Sequence, residues 1–84
     1  MKVQVQVSIY PLRTVSLSEP IDEFCRILKD RGLKVETQTM GSFVVGQSDI
    51  IFDSVQRAFE QTAEKYNIVM DFKISNACPL DKSK

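Results

Sequence analysis

Val3, Val5, Val7 and Ile9 alternate with Lys2, Gln4, Gln6 and Ser8. A period of two predicts a strand with one apolar and one polar face. Pro11 cannot donate to a ladder, so the strand is expected to stop near Tyr10, with Arg13 to Leu17 as a connecting loop. Ile21, Phe24, Cys25 and Leu28 then recur at helical spacing and define one apolar face. Ser18 is the expected N-cap of this helix. Glu19 and Asp22 suit the positive end of its dipole, Pro20 is tolerated in the first turn, and Gly32 supplies a left-handed stop.

Leu33, Val35 and Thr37 alternate with Lys34, Glu36 and Gln38, which predicts a second strand, and Phe43-Val44-Val45 predicts a third. A tight turn centred on Met40-Gly41 would join them, opposing Gln38 to Phe43 and Glu36 to Val45. With Ser48 or Asp49 as cap, a second helical stripe runs through Ile51, Phe52, Val55, Ala58, Phe59, Thr62 and Ala63, with Asn67 as C-cap. Ile68, Met70, Phe72 and Ile74 alternate with Val69, Asp71, Lys73 and Ser75 as a last strand. The order is βαββαβ. Two striped helices need one apolar sheet face, and right-handed crossovers fix the strand order as 4-1-3-2. The predicted fold is thus α+β and ferredoxin-like: a four-stranded antiparallel sheet with both helices on one face. Residues 1–78 are expected to form the single domain and 79–84 a C-terminal tail.

At 84 residues the chain has room for one core. A chain of this size buries only roughly 60% of its unfolded surface, so its stability is marginal. With no His and two separated cysteines, it offers no metal-ligand cluster. Cys25 falls on the helical stripe and Cys78 in the tail, and both are expected to be reduced thiols, with Cys25 in the core. Self-association is then the expected source of further burial. Eleven basic and eleven acidic residues balance, and the basic ones are scattered, so neither nucleic acid nor a membrane is an expected partner. A cytoplasmic location is expected.

The sheet face away from the helices carries Gln4, Gln6, Ser8 and Tyr10 from the first strand and Asp71, Lys73 and Ser75 from the last. The hairpin adds Phe43 and Val45 to this polar set, because opposed residues share a face. A one-residue slip would turn both toward the helices instead. A polar face with an apolar centre suits a second sheet or a flat ligand.

Ser8-Ile9-Tyr10-Pro11-Leu12 after an alternating strand, then Thr39-Met40-Gly41-Ser42 and Val44-Val45-Gly46 before a helix, resembles the thiamine-binding protein family. The resemblance extends from the first strand to about Ser75. It implies a ferredoxin-like protomer that pairs through its open face into dimers and tetramers. It also implies a site for thiamine or its hydroxymethylpyrimidine moiety, with no catalytic residue and no cofactor. Family members commonly carry a Glu where this chain has Val45, which leaves Asp71 and Glu36 as the carboxylates on the predicted open face. An aminopyrimidine is flat and has donors and acceptors along its edge. Gln6, Ser8, Gln38, Thr39 and Ser42 can serve both roles, Tyr10 or Phe43 can stack, and Asp71 can balance a thiazolium.

Three other functions fit the same fold less well. An acylphosphatase-like enzyme would use an Arg such as Arg13, but no glycine-rich phosphate loop precedes a helix, and acid–base work would fall to Glu36 and Asp71. An RNA-recognition module would place aromatics on the central strands; Gly41-Ser42-Phe43-Val44 echoes that pattern, while the first strand offers Gln and Ser instead. The strongest rival is a structural or protein-interaction subunit whose open face only builds an oligomer.

Overall fold

The computed structural model describes residues 1–38 and 41–77. Along the chain run β1 (Lys2–Leu12), α1 (Ser18–Asp30), β2 (Lys34–Gln38), β3 (Gly41–Gln47), α2 (Ser48–Lys65) and β4 (Asn67–Ser75). The sheet is antiparallel and ordered β2-β3-β1-β4, the predicted 4-1-3-2. Cys78 and the 79–84 tail lie outside the described residues, as do Thr39 and Met40.

Alternation along β1 governs the core. Val3, Val5, Val7 and Ile9 are buried beneath the helices, against Phe24, Ile27 and Leu28 of α1 and Ile51, Val55 and Ala58 of α2. Burying a Val, Leu, Ile or Phe side chain in this way stabilises the fold by about 1.5–3 kcal/mol relative to exposure. β1 does not stop at Tyr10, because Pro11 pairs with Ile68 and Leu12 with Asn67. Past Val7, β1 pairs only with β4 among the described residues. A residue without an N–H is tolerated there because one side of the strand has no ladder to lose.

Helix α1 starts differently from expectation. Ser18 lies inside the first turn, and Ser16 Oγ instead accepts from the Glu19 N–H at 3.4 Å. Its end matches expectation: Gly32 has φ +85°, and the N–H groups of Gly32 and Leu33 donate to the carbonyls of Lys29 and Leu28. That pattern is a Schellman motif, and it seats Leu33 in the core.

The seam of α2 is narrower than predicted. Ile51, Val55, Ala58 and Thr62 are buried at helical spacing, whereas Phe52 is 53% exposed and Ala63 is exposed. Phe52 lies on the flank of the seam and meets Phe72 of β4, ring centroids 5.9 Å apart. On the other flank the buried Ser54 hydroxyl accepts from Arg31 Nε at 2.8 Å, and Arg31 also pairs with Asp53. Asn67 opens β4 and is not a cap; the C-cap is the extended Tyr66.

The hairpin register is displaced by two residues from expectation. Gln38 opposes Gly41, Thr37 opposes Ser42, and Glu36 opposes Phe43. Gly41 thus belongs to β3 and is not a turn centre. The displacement is even, so every side chain keeps its expected face.

Candidate functional site

The register places the open face in rows across the sheet. One row runs Lys73, Gln6, Phe43, Glu36, and the next runs Ser75, Gln4, Val45, Lys34. Ser8 opposes Asp71, and Tyr10 opposes Val69. Phe43 and Val45 are half-buried on this face, while their neighbours Ser42 and Val44 are buried beneath the helices.

Gln6, Ser8, Tyr10, Asp71 and Lys73 line a hollow of about 140 Å³ between β1 and β4. Four of the predicted site residues therefore do come together there. Phe43 borders a neighbouring hollow of about 180 Å³, which shares Gln6 and Lys73 with the first. Glu36 sits at the far side of the sheet from Asp71, three strand spacings or roughly 14 Å away. The two carboxylates cannot work as an acid–base pair within one protomer.

The sheet separates Ser42 from this set. Ser42 is only 5% exposed, pairs with Val7 and Thr37, and faces α1, where its Oγ lies 3.6 Å from Cys25 Sγ. Placing Ser42 beside Phe43 overlooked the strand period, since consecutive residues point to opposite faces. Gln38 lies at the end of β2 and Thr39 outside the described residues.

Ser42 and Gln38 instead line a larger cleft of about 390 Å³ at the end of the sheet. α1 contributes Ile21, Phe24 and Cys25, with Leu17 just before it, and β1 contributes the segment Val7 to Pro11. Two features of the chain create this space. β1 runs beyond the point where β3 begins, and Gly41 lets β3 start close against it. A Cβ on Gly41 would collide with Ser8 Oγ and lie 3.0 Å from the Val7 carbonyl, and its φ of +146° disfavours any side chain. Ser8 and Tyr10 border both the cleft and the β1–β4 hollow. Thr37, Leu17 and Ile21 were missed as lining residues. The legible signal was a polar Ser42 at an apolar-face position of β3, opposite the stripe of α1.

Among the described residues no group of three or more His, Cys, Asp or Glu is arranged to hold a metal ion. No helix among them is long and apolar enough to cross a membrane.

The ferredoxin-like sandwich is shared by solved structures of other proteins. A hypothetical protein of Methanocaldococcus jannascii is 30% identical with a TM-score of 0.82, over 92% of this chain and 81% of its own. A candidate thiamine biosynthesis/salvage protein of Thermotoga maritima superposes over the whole of both chains at 20% identity and a TM-score of 0.81. A Streptococcus pneumoniae protein has a TM-score of 0.86 at 18% identity, covering 99% of this chain and 97% of that one. At the two lower identities the likeness establishes the fold alone. None of the functionally curated proteins matches the chain. The family model described as thiamine-binding protein matches residues 5–78, and the chain belongs to that family.

Proposed function

We propose that this protein binds thiamine or its hydroxymethylpyrimidine moiety without chemically changing it. Family membership over residues 5–78 carries the proposal. The chemistry of the β1 end supports it. Ser8, Gln6 and Tyr10 supply hydroxyl, amide and phenol groups around one hollow, and Asp71 supplies a carboxylate for the thiazolium cation. No cofactor or nucleic acid enters the scheme, and the protein is taken to act in the cytoplasm. Calorimetric titration of the full chain with thiamine and with hydroxymethylpyrimidine tests it. Saturable heat with at least one ligand is expected, and none with either would defeat the proposal.

A second function is favoured by the apolar strip on the open face. Phe43 and Val45 lie at its centre, and Val69 is 51% exposed beside Tyr10. A domain with so little core gains by covering such a strip, which fits self-association into a dimer or tetramer through that face. Phe43→Lys is then expected to lower the assembled mass in light scattering. An unchanged mass for a variant that remains folded would remove Phe43 from any interface.

A further inference from the structure

The two edges of the sheet are built differently. β2 closes one side with five residues, and its charged Lys34 and Glu36 make it a poor template for another strand. β4 closes the other side with nine residues, Asn67 to Ser75. It has no proline, and its pairing with β1 runs in one register without a bulge to twist the edge away. Among the described residues β4 pairs with β1 alone, so alternate backbone N–H and C=O groups point outward along it. Apolar surface flanks this edge on the helix side. Phe52 is 53% exposed against the half-buried Phe72, and Ile74, opposite Val5, is 40% exposed. We propose that a second copy of the chain adds to this edge, its β4 running antiparallel about a two-fold axis at Phe72.

Charge selects both the occupant and the register. Asp71 and Lys73 are exposed and share the open face, two residues apart. In a two-fold pair one residue meets its own copy, and the others pair symmetrically around it. An axis at Asp71 would oppose two carboxylates, and one at Lys73 two ammonium groups, both unfavourable. An axis at Phe72 opposes Asp71 to the partner's Lys73 and Lys73 to the partner's Asp71. On the helix side it sets Phe72 against the partner's Phe72 and Met70 against the partner's Ile74, with Phe52 of each copy alongside. One register therefore satisfies both charges and covers the apolar flank. The two sheets become one, with the helices of both copies on the same side. Their open faces stay uncovered, so this contact is separate from the self-association through Phe43 and Val45.

Light scattering and sedimentation of the full chain without ligand test the edge. Both charged residues are exposed, so changing them leaves the core intact. Asp71→Lys opposes ammonium groups in both pairs, and Lys73→Asp opposes carboxylates. Each is expected to raise the dissociation constant of the pair at least about tenfold, because two attractions become two repulsions. Mixing the two variants restores both pairs in a heterodimer, and combining the changes in one chain restores them in a homodimer. Both are expected to recover the wild-type mass, and the same recovery relative to Phe43→Lys alone is expected when that change is added throughout. Unchanged mass in both single variants, or a loss that neither the mixture nor the double variant recovers, would overturn the edge pairing. Recovery that vanishes with Phe43→Lys in the background would assign the charge pairs to the open face and likewise overturn it.

Discussion

Val7 and Ser8 are neighbours in β1, yet the two faces they serve obey different rules. The helix side of β1 is apolar, and Val3, Val5 and Val7 are at most 3% exposed. Residue choice there is dictated by packing, because interiors are dense enough for one missing methylene to matter. The open side mixes Gln4, Gln6 and Ser8 with the half-buried Phe43 and Val45. Packing within the protomer does not account for that mixture, so the open face takes its meaning from what covers it. The end of β1 is where the two rules meet, since an apolar helix-side cleft and a polar open-face hollow share Ser8 and Tyr10.

The comparison breaks most visibly in stability. Leu28 is fully buried in α1 against the sheet. Leu28→Ala is expected to cost about 2–5 kcal/mol, from lost transfer energy and the cavity left behind. Gln6→Ala on the open side should stay within about 0.5 kcal/mol. Urea melts of the two variants check the contrast, and a comparable loss for Gln6→Ala would mean the open face is already structural.

Next in size is Gly41→Ala, which acts on both faces at once. The added Cβ meets Ser8 Oγ and the Val7 carbonyl, and the backbone there is strained for any side chain. About 1–3 kcal/mol of destabilisation is expected. Because Ser8 borders both hollows, thiamine affinity should fall as well. A stable variant with wild-type affinity would show that the close approach of β3 to β1 is not what shapes the site.

A third effect sharpens the difference in charge between the two hollows. Asp71 and Lys73 border the open-face hollow, and no described charge lines the cleft. A contact to a charged group is worth about 1.5–3 kcal/mol, and solvent screening of the exposed Asp71 puts it at the low end. Asp71→Asn is therefore expected to weaken thiamine roughly tenfold and leave neutral hydroxymethylpyrimidine unchanged. Lys73→Gln should move thiamine in the opposite direction by removing a like charge. Equal weakening of both ligands by Asp71→Asn would mean that the carboxylate shapes the hollow without pairing a charge.

How much of this was legible in sequence depended on whether the deciding contact was local. The faces of β1, the stripe of α1 and the stop at Gly32 follow from spacings within one element, and each was readable. The hairpin register depends on how β3 docks on β1, where Gly41 must pass Ser8, and the residues around the turn do not encode that approach. Pro11 looked like a terminator because its tolerance comes from β3 starting too late to pair with it. The Arg31–Ser54 bond joins residues 23 apart, and nothing in either helix announces it. The candidate site was half legible: alternation gathered Gln6, Ser8, Tyr10 and Asp71, but the cleft exists only because helix and strands leave a space at their ends.

The smallest expected effect concerns Cys25, the helix-side residue closest in character to the open face. Its thiol is 8% exposed and lies 3.6 Å from Ser42 Oγ, so it is at once core filler, cleft wall and hydrogen-bond partner. If filling dominates, Cys25→Ala should cost about 0.5–1.5 kcal/mol, the range for deleting one methylene-sized group from a core. Cys25→Ser, which keeps a group near Ser42 but exchanges sulfur for a more polar oxygen, should then be no better than Cys25→Ala. A weak sulfur contact leaves the Ser42 hydroxyl available to a ligand, so hydroxymethylpyrimidine affinity should change less than about twofold in Cys25→Ala. If the thiol instead positions Ser42, Cys25→Ser should bind better than Cys25→Ala at equal stability. Thermal melts and titrations on the same pair of variants separate the two roles, because packing shows in the first and positioning only in the second.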